Sequence, residues 1–348
     1  MQAITMPSTD TRSDARAQLL GLINANWTTQ ALASAARLRL CDRLAAQPMS
    51  LTDLATACEC YAPALQRLVR ALATLDVVVT ASDGRYALGP LGVHLVSDRP
   101  GGLGAWAEMC GTSAWRTWER LLDSVRTGRS VRELEGGRAG LFHLDADPAA
   151  ATLFHRAMAA ISYPVAKAVA SALELTHAHR VLDIGGGAGE LLSVLLDTHA
   201  HLHGVLLERP HAIEAARARL EEAGVANRCT LIGGDFFDSI PDGSDVLLLK
   251  SILHDWDDDH CLKILRRCRQ AMRAHTRLAV IERLMPEEPA PSVASRAIAR
   301  SDLNMLVGPG GQERTRAAYA ELLVRCDLRL SAVVELVDHY SIVEATVL

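Results

Sequence analysis

The chain has 348 residues, of which 49% are hydrophobic, and a formal net charge of −5 at pH 7. This length is enough for about two domains, each with a buried core. A net negative charge gives no general attraction to phosphate backbones, which argues against nucleic-acid binding. No apolar run approaches the roughly 20 residues that span a bilayer, and no signal peptide is visible, so we expect a cytoplasmic protein without membrane contact. The eight cysteines include no C-x-x-C pair, which predicts reduced thiols.

Residues 1–99 have the pattern of a helical domain that ends in a small hairpin. Apolar spacing predicts helix over residues 15–46, and a capping box beginning at Ser50 predicts a second helix. Pro63 then opens a third helix, and Asp83-Gly84 predicts a tight turn between two short strands. This order is that of a winged helix, a module that binds DNA in some proteins and mediates dimerisation in others. Its few basic residues argue against DNA binding.

Residues 100–177 are predicted to form a helical linker. Trp106, Trp115 and Trp118 lie close together there, in a chain with only 4% aromatic residues. They could pack in the core or line an aromatic ligand pocket, and the sequence leaves both possibilities open.

Residues 178–348 alternate between strand-like and helix-like segments, which predicts a doubly wound parallel sheet. The predicted strands cover residues 181–184, 205–208, 229–232, 245–249 and 278–281, and the predicted helices cover residues 191–196, 212–223 and 258–274. Two β-branched runs, residues 328–336 and 341–347, predict a terminal antiparallel hairpin at the sheet edge.

A glycine loop follows the first of these strands. Gly185, Gly187 and Gly189 form a G-x-G-x-G pattern, and Glu190 stands where the dinucleotide fingerprint has its third glycine. A carboxylate at that position would repel a pyrophosphate, which favours a nucleoside ligand without phosphate, such as S-adenosylmethionine (SAM). An ordinary turn between strand and helix is the alternative interpretation.

Polar or aromatic residues follow the next three strands, at the edge where doubly wound sheets bind ligands. Glu208 could accept both hydrogen bonds of a ribose diol, and Asp235 could accept one from an adenine amino group. Phe236 could cover the adenine ring, and Lys250 could reach the carboxylate of a bound amino acid. Each of these alone could equally be a surface residue, but together they indicate one site.

The segment after Lys250 carries the candidate chemistry. An imidazole has an ordinary pKa near 6.5, so His254 could accept a proton from a phenol or enol hydroxyl. Glu282, just past the fifth strand, and Glu313 are the acids predicted to orient it. Either could instead be a surface ion-pair partner.

Four motifs together resemble one family. They are Val181–Gly189, Gly233–Phe236, Leu253–Trp256 and Gly310–Thr315. With them the chain resembles the SAM-dependent O-methyltransferases of small aromatic molecules, a group that includes plant caffeate and isoflavone enzymes and bacterial secondary-metabolite enzymes. The resemblance implies an α/β, Rossmann-like class I methyltransferase domain at 178–348 and a winged-helix dimerisation domain at 1–99. Residues 100–177 would contribute to the substrate pocket.

The resemblance also assigns residues. His254 would be the general base, flanked by Glu282 and Glu313, and no metal would be required. The residues implied to contact SAM are Ser162, Asp183, Gly185, Gly187, Glu208, Asp235, Phe236, Lys250 and Trp256. The residues implied to line the acceptor pocket are Met109, Phe154, Met158, Leu303 and Asn304. Asn304 replaces an apolar residue of the plant enzymes, so it could bond an acceptor substituent or a neighbouring helix.

Other functions remain open at this level. The fold also supports C- or N-methylation, hydroxylation, decarboxylation and pericyclic steps, and a winged helix could serve a transcription regulator. Histidines at 177, 179, 199, 201 and 203 could ligate a metal if they lie on one face of a strand. The sequence predicts a homodimer and a small aromatic substrate without identifying the acceptor.

Overall fold

The protein is described by a computed structural model that covers residues 9–97, 99–141, 144, 147–288 and 290–348. It divides into two compact units, unit 1 from Met1 to Thr112 and unit 2 from Ser113 to Leu348. The elements of unit 1 are α1 (Thr9–Arg37), α2 (Leu40–Ala46), α3 (Leu51–Ala57), α4 (Ala62–Ala73), β1 (Val78–Thr80), β2 (Tyr86–Leu88) and α5 (Gly104–Cys110).

Unit 1 contains the helix–helix–hairpin order predicted for a winged helix. Ser50 caps α3, because its Oγ accepts a hydrogen bond from the Asp53 N–H, and Pro63 lies in the first turn of α4. The predicted helix over residues 15–46 is interrupted at Arg39, whose left-handed backbone (φ 51°) separates α1 from α2. The core of unit 1 is formed by α2, α3 and α4, through Leu40, Leu44, Leu54, Leu65, Val69 and Leu72.

Unit 2 is built around a large sheet. Its helices are α6 (Ser113–Trp118), α7 (Leu121–Thr127), α8 (Val131–Leu134), α9 (Pro148–Ala172), α10 (Glu190–Thr198), α11 (Pro210–Glu222), α12 (Asp258–Ala271), α13 (Val293–Val307) and α14 (Arg316–Val324). Its strands are β3 (Arg180–Ile184), β4 (His203–Glu208), β5 (Cys229–Gly233), β6 (Val246–Lys250), β7 (Arg277–Met285), β8 (Arg314–Thr315), β9 (Leu328–Glu335) and β10 (Tyr340–Val347).

The strand order of the sheet is β5-β4-β3-β6-β7-β10-β9, with β8 paired to the end of β7. Strands β3 to β7 run parallel, and β10 is antiparallel to both β7 and β9. The order reverses between β3 and β6, which leaves a crevice at the carboxyl ends of the strands. The terminal hairpin was predicted, and the structure places β10 inside the sheet and β9 at its edge.

Alternate residues of β3 face opposite cores, because successive side chains of a strand point to opposite faces. Leu182 and Ile184 pack in the layer that contains α12 and α14, and Val181 packs in the layer that contains α9 and α10. The predicted linker does not form a separate unit, since α5 lies in unit 1 and α6 to α9 lie in unit 2.

Two further expectations concern the cysteines and the contact with a membrane. All eight cysteines, each among those residues, are free thiols. No described helix combines the length and hydrophobicity needed to cross a membrane.

Candidate active site

The glycine loop joins β3 to α10 and lies at the switch point of the sheet. Gly187 has a left-handed backbone (φ 56°), and a Cβ placed there would meet no atom within 4 Å. At Gly185 a Cβ would lie 2.5 Å from Ile252 Cδ1 and 3.5 Å from Phe236 Cε1. The loop therefore packs against the segment after β6 at Gly185 and leaves open space at Gly187.

The loop is tied to the end of β4 through Glu208. Its Oε2 accepts a hydrogen bond from the Gly187 N–H at 2.8 Å, and its Oε1 accepts one from the Arg209 N–H at 2.6 Å. Both carboxylate oxygens of Glu208 therefore lie at the junction between the loop and the start of α11. The predicted ribose-binding residue is thus held beside the predicted cradle.

Glu190 does not have the effect expected from the sequence. Its carboxylate is nearly buried and pairs with Arg219 of α11 through two hydrogen bonds, of 2.9 and 3.0 Å. This bidentate pair neutralises the Glu190 charge. Repulsion of a pyrophosphate by Glu190 is therefore not what selects the ligand, and selection by the strand-end residues stays a prediction.

Asp183 is buried beneath the loop with an unsatisfied oxygen. No donor among the described residues reaches its Oδ2. Burial and the nearby Glu208 charge raise the pKa of Asp183 to about 7, and Lys250 partly opposes this shift. The sealed oxygen lies directly under the loop, since a Cβ at Gly186 would be 2.5 Å from it, and burial favours the protonated form of the carboxyl.

The residues after β5 form an aromatic wall. Phe236 meets the ring of Trp256 edge-on at 6.3 Å, and Phe237 does so at 4.8 Å. Asp235 accepts a hydrogen bond from the Phe237 N–H at 2.9 Å and pairs with Arg209 at 3.2 Å. Trp256 is nearly buried, so it supports Phe236 from the core side. Phe236 also lies close to the loop, since a Cβ at Gly185 would be 3.5 Å from its Cε1.

Lys250 ends β6 next to a strained residue. Its Nζ donates to Ser251 Oγ at 3.1 Å and lies 5.4 Å from the centre of the Tyr340 ring. Ser251 has φ 55°, and its hydroxyl also bonds the Tyr340 hydroxyl at 3.1 Å. The predicted contact between Lys250 and a ligand carboxylate stays a prediction, with Ser251 and Tyr340 as positioning neighbours that the sequence did not indicate.

His254, Glu282 and Glu313 lie together, as predicted. The His254 Nδ1 is 3.2 Å from Glu313 Oε1 and 3.4 Å from Glu282 Oε2, and all three side chains are buried. The other ring nitrogen, Nε2, lies 3.6 Å from Asp255 Oδ1. Glu313 therefore hydrogen-bonds one ring nitrogen, Glu282 lies close to the same nitrogen, and Asp255, which was not predicted, lies beside the other.

Glu282 is anchored by the backbone around His254. Its Oε1 accepts hydrogen bonds from the N–H groups of Ile252, Leu253 and His254, at 2.9, 3.0 and 3.4 Å. The left-handed Ser251 turns these successive N–H groups toward one point, which makes an anion-binding nest. The nest fixes the carboxylate and favours its charged form.

Glu313 is fixed by α13. Ser301 Oγ donates to Glu313 Oε1 at 2.6 Å, and the Glu313 N–H donates to Asp302 Oδ1 at 2.8 Å. Although burial acts in the other direction, the bonds from His254 and Ser301 lower the pKa of Glu313 below its ordinary value. Glu313 is therefore held as an anion against His254 Nδ1.

The segment that carries Glu313 is clamped to the segment that carries His254. The buried Arg314 guanidinium donates to the carbonyls of Leu253 and Trp256, at 2.9 and 2.8 Å, and to Asp258 at 2.7 Å. Gly311 lies so close that a Cβ there would be 2.0 Å from the His254 carbonyl oxygen. Arg314 and Gly311 thus set the relative position of base and acid.

The charges around His254 hold a proton on its ring. Burial disfavours the imidazolium, but Glu282, Asp255 and Glu313 outweigh it and raise the pKa of His254 to about 10. Burial raises the pKa of Glu282 to about 7 and that of Asp255 to about 6. The imidazolium then has a pKa close to that of a phenol, about 10, so proton exchange between them is nearly balanced.

This shift predicts the titration of His254 in the cofactor-free protein. Because the pKa is raised, the ring stays protonated through neutral pH and loses its proton only as the pH approaches about 10. NMR of ¹⁵N-labelled histidine measures this directly. Glu282→Gln should shift the pKa down toward the ordinary value, about 6.5. Titration of wild-type His254 at or below that value would contradict the assignment.

One group of described residues has the geometry of a metal site, and it is this same cluster. Ligand atoms of His254, Glu282 and Glu313 lie within 4.8 Å of one another. The histidines at 177–203 form no such group among the described residues. The His199 and His201 rings instead bond the carbonyls of Ala170 and Leu175, at 2.9 and 3.1 Å. The alternative of a metal site at that histidine run is therefore wrong for this structure.

The residues implied for the acceptor pocket fall in two units. Met109 lies on α5 of unit 1, and the other four lie on α9 and α13 of unit 2. Phe154 and Met158 are one turn apart on α9, and Ser162 follows one turn later on its buried side. Asn304 of α13 accepts a hydrogen bond from the Trp118 indole N–H at 2.9 Å. Trp118 thus has a polar partner near predicted pocket residues.

A cavity of about 440 Å³ lies beside the glycine loop, between α9 and α11. It touches the loop through Ala188, and its other walls include Ala151, His155 and Arg219. It is therefore on the helical side of the loop, and the strand-end residues do not line it.

Comparison with known proteins agrees with this geometry. Residues 118–327 match the O-methyltransferase domain, and residues 20–98 match the O-methyltransferase dimerisation domain. The chain is 37% identical over 327 residues to phenazine O-methyltransferase PhzM of Lysobacter antibioticus, across 94% of this chain and 95% of that protein. It is 36% identical over 310 residues to aclacinomycin 10-hydroxylase RdmB of Streptomyces purpurascens, across 88% and 82% of the two chains.

A solved structure links this fold to a ligand. NcsB1, an O-methyltransferase from neocarzinostatin biosynthesis, was crystallised with SAM and 2-hydroxy-5-methyl naphthoic acid. It matches with a TM-score of 0.75 and 31% identity, across 92% of this chain and 96% of that one. The open space at Gly187 and the aromatic wall fit SAM. The chain therefore belongs to the O-methyltransferase family, and it is a methyltransferase that uses SAM.

Proposed function

We propose that this enzyme methylates a hydroxyl group of a small aromatic acceptor, with His254 as the general base. The observation that carries the proposal is the arrangement of the imidazole. Glu282 and Glu313 both lie against Nδ1, at 3.4 and 3.2 Å, which fixes the proton there and directs the Nε2 lone pair away from them. Tying one ring nitrogen to acids is how a histidine is prepared to accept a proton at the other.

The cofactor would be held by the residues around the glycine loop. SAM supplies an activated methyl group on a sulfonium, so the protein needs mainly to align the acceptor and remove its proton. Glu208 would accept from the ribose, and Asp235 and Phe236 would hold the adenine. Lys250 would face the amino-acid carboxylate. Asp183, sealed beneath Gly186, would support the loop from below.

The proton of the acceptor hydroxyl would pass to His254 Nε2. The imidazolium that forms is stabilised by Glu282 and Glu313 on one side and by Asp255, 3.6 Å from Nε2, on the other. A positioned base of this kind contributes about 10² to 10⁴ in rate. His254 must be neutral before it accepts the proton, so its raised pKa predicts faster transfer as the pH rises.

We further propose that the enzyme is a homodimer assembled through unit 1. The match to a dimerisation domain supports this assembly. So does an apolar stripe on α1, where Leu19, Ile23 and Trp27 are 59%, 62% and 68% exposed. Residues four apart on a helix share one face, and so large an apolar face on a surface helix is typical of a protein interface.

A methyl-transfer screen tests the proposed reaction. Purified protein with SAM is incubated with phenolic polyketides, phenazines, hydroxylated aromatic acids and tyrosine derivatives, and release of S-adenosylhomocysteine is measured for each. We expect transfer to at least one hydroxylated aromatic and none to its methoxy counterpart, in which the hydroxyl is blocked. Tight SAM binding without any transfer would contradict the proposal.

Hydroxylation is the second reaction that the screen must separate, because one relative, 36% identical, is named as a hydroxylase. Mass spectrometry of the screen products distinguishes the two, because hydroxylation adds an oxygen and methylation adds a CH₂ unit. C-methylation is a third outcome, because deprotonating a phenol also activates its ring carbons. Its product has the same mass as the O-methylated product. Loss of the free hydroxyl in the product separates these two outcomes.

A further inference from the structure

Ser251 has a backbone conformation that serine rarely adopts. Its φ is 55°, in the left-handed region, where a Cβ crowds the following carbonyl oxygen. Ser251 follows the last residue of β6, and its N–H still donates to the Ile281 carbonyl of β7 at 3.1 Å. A residue in such a conformation persists only where its surroundings fix it, so the turn needs a stabilising contact.

Two neighbours hold the hydroxyl of Ser251. Lys250 Nζ donates to Ser251 Oγ at 3.1 Å, since an ammonium can only donate. The Ser251 hydroxyl also bonds the Tyr340 hydroxyl, with the two oxygens 3.1 Å apart. Tyr340 is the first residue of β10, where it pairs with Arg283 of β7. The sheet therefore sets the position of Tyr340, and Tyr340 links the turn to the sheet.

The Tyr340 side chain is a rigid support for this hydrogen bond. It is only 3% exposed, and the Arg283 guanidinium lies over its ring, 4.2 Å from the ring centre. Lys250 Nζ lies 5.4 Å from the same centre. Both cations contact the ring face, which phenylalanine also has. Tyr340→Phe would therefore keep these two contacts and remove the hydrogen bond to Ser251.

The turn at Ser251 determines how Glu282 is held. The N–H groups of residues 252–254 converge on Glu282 Oε1, at 2.9, 3.0 and 3.4 Å. They converge because left-handed Ser251 is followed by right-handed Ile252, with φ −115° and ψ −54°, and this succession directs the N–H groups to one point. Glu282 Oε2 lies 3.4 Å from His254 Nδ1. A continuous set of contacts thus leads from the tyrosine hydroxyl to the imidazole.

We infer that Tyr340 is a positioning residue for His254. Its hydroxyl keeps Ser251 left-handed, which keeps the N–H groups of residues 252–254 directed at Glu282. Without this bond Ser251 relaxes toward the conformations that serine favours, and Glu282 loses its anchor beside the imidazole. The inference rests on the proposed function, because it concerns the base of that reaction.

Two substitutions of Ser251 separate its backbone conformation from its hydroxyl. Ser251→Ala and Ser251→Gly both remove the hydroxyl, but only glycine adopts a positive φ without steric cost. With an acceptor from the screen, we expect Ser251→Ala to lower kcat by about tenfold, the effect of one net hydrogen bond on an equilibrium. Ser251→Gly should keep kcat within about twofold of the wild type. KM for the acceptor should change little in both, because neither removes an acceptor contact.

A double-mutant cycle tests whether Tyr340 acts through this turn. Tyr340→Phe should lower kcat by about tenfold in the wild type, and by less than about twofold when Ser251→Gly is also present. Tyr319→Phe is the matched control, because Tyr319 is 1% exposed and its hydroxyl has no hydrogen-bond partner among the described residues. Tyr319→Phe should keep wild-type kcat.

Hydrogen–deuterium exchange measures the nest without any acceptor. By mass spectrometry of a peptide that covers residues 251–256, the N–H groups of residues 252–254 should exchange faster in Tyr340→Phe and Ser251→Ala than in the wild type. Exchange in Ser251→Gly and Tyr319→Phe should match the wild type.

The outcomes distinguish this inference from the proposed function. Wild-type kcat in Tyr340→Phe, or an equal loss of kcat in Ser251→Gly and Ser251→Ala, would overturn the inference and leave the methyltransferase reaction intact. The expected exchange pattern, together with no methylation of any hydroxylated aromatic by the wild type, would support the positioning by Tyr340 and overturn the proposed function.

Discussion

Replacing His254 by alanine should lower kcat for methyl transfer by about 10² to 10⁴, the contribution of a positioned base. The affinity for SAM should remain within about twofold, because most of the residues assigned to the cofactor lie on the loop and at strand ends and the imidazole is not among them. The measurement is kcat at saturating acceptor and SAM, together with Kd for SAM by calorimetry. An equal loss in kcat and kcat/KM is the signature of an interaction made in the transition state.

A matched substitution controls for histidine removal in general. His275 is an exposed histidine of unit 2, with 67% of its side chain accessible. His275→Ala should therefore keep wild-type kcat. Full activity in His254→Ala would remove this residue from the mechanism, and a large loss of SAM affinity would assign it a binding role.

Gly311→Ala should also reduce kcat strongly, by about 10² or more, because displacements near 1 Å at a reacting centre have effects of this size. Its Cβ would lie 2.0 Å from the His254 oxygen, 2.4 Å from Asp255 C and 2.6 Å from Trp256 N. All three are backbone atoms, so the clash cannot be relieved by rotating a side chain. The segment that carries His254 must move away from the segment that carries Glu313.

Two measurements show whether the loss is local. The circular dichroism spectrum and SAM affinity of Gly311→Ala should resemble those of the wild type, with a lower Tm. Gly21→Ala adds the same methyl group where no atom lies within 4 Å, and it should keep wild-type kcat. Wild-type kcat in Gly311→Ala would contradict the clamp between the two segments.

The candidate site could be predicted from sequence to a large extent, because most of its parts are local patterns. A strand followed by glycines and a helix predicts the cradle, and parallel strands bring Glu208, Asp235 and Lys250 to one edge of the sheet. The proximity of Glu282 and Glu313 to His254 was also predicted and is observed, whereas the roles of the three residues stay predictions. Glu282 and Glu313 lie 28 and 59 residues from His254, and such separations do not indicate contact. The resemblance to a family therefore supplied the grouping of these three residues.

The features that the sequence could not predict depend on backbone conformation or on distant contacts. The nest around Glu282 requires the left-handed Ser251, an uncommon conformation for serine. The hydrogen bond between Trp118 and Asn304 joins residues 186 positions apart. The sequence patterns predicted neither α13 nor α14, although α13 carries Ser301 and Asn304.

Two expectations failed for physical reasons. The charge of Glu190 was expected to repel a pyrophosphate, but Arg219 of α11 pairs with it, and no local pattern linked the two. The histidines at 177–203 alternate as in one strand, but His199 and His201 precede β4 and bond carbonyls of the chain around the end of α9. Polar residues at helix ends often serve backbone groups in this way.

The fate of the methyl carbon is the most direct test of methylation at the acceptor hydroxyl. SAM labelled with ¹³C in its methyl group is supplied with an acceptor identified in the screen, and the product is characterised by NMR. We expect a labelled methyl carbon bonded to the former hydroxyl oxygen, with one S-adenosylhomocysteine released per product. A labelled carbon bonded to a ring carbon or nitrogen, or an unlabelled product that has gained a hydroxyl group, would contradict it.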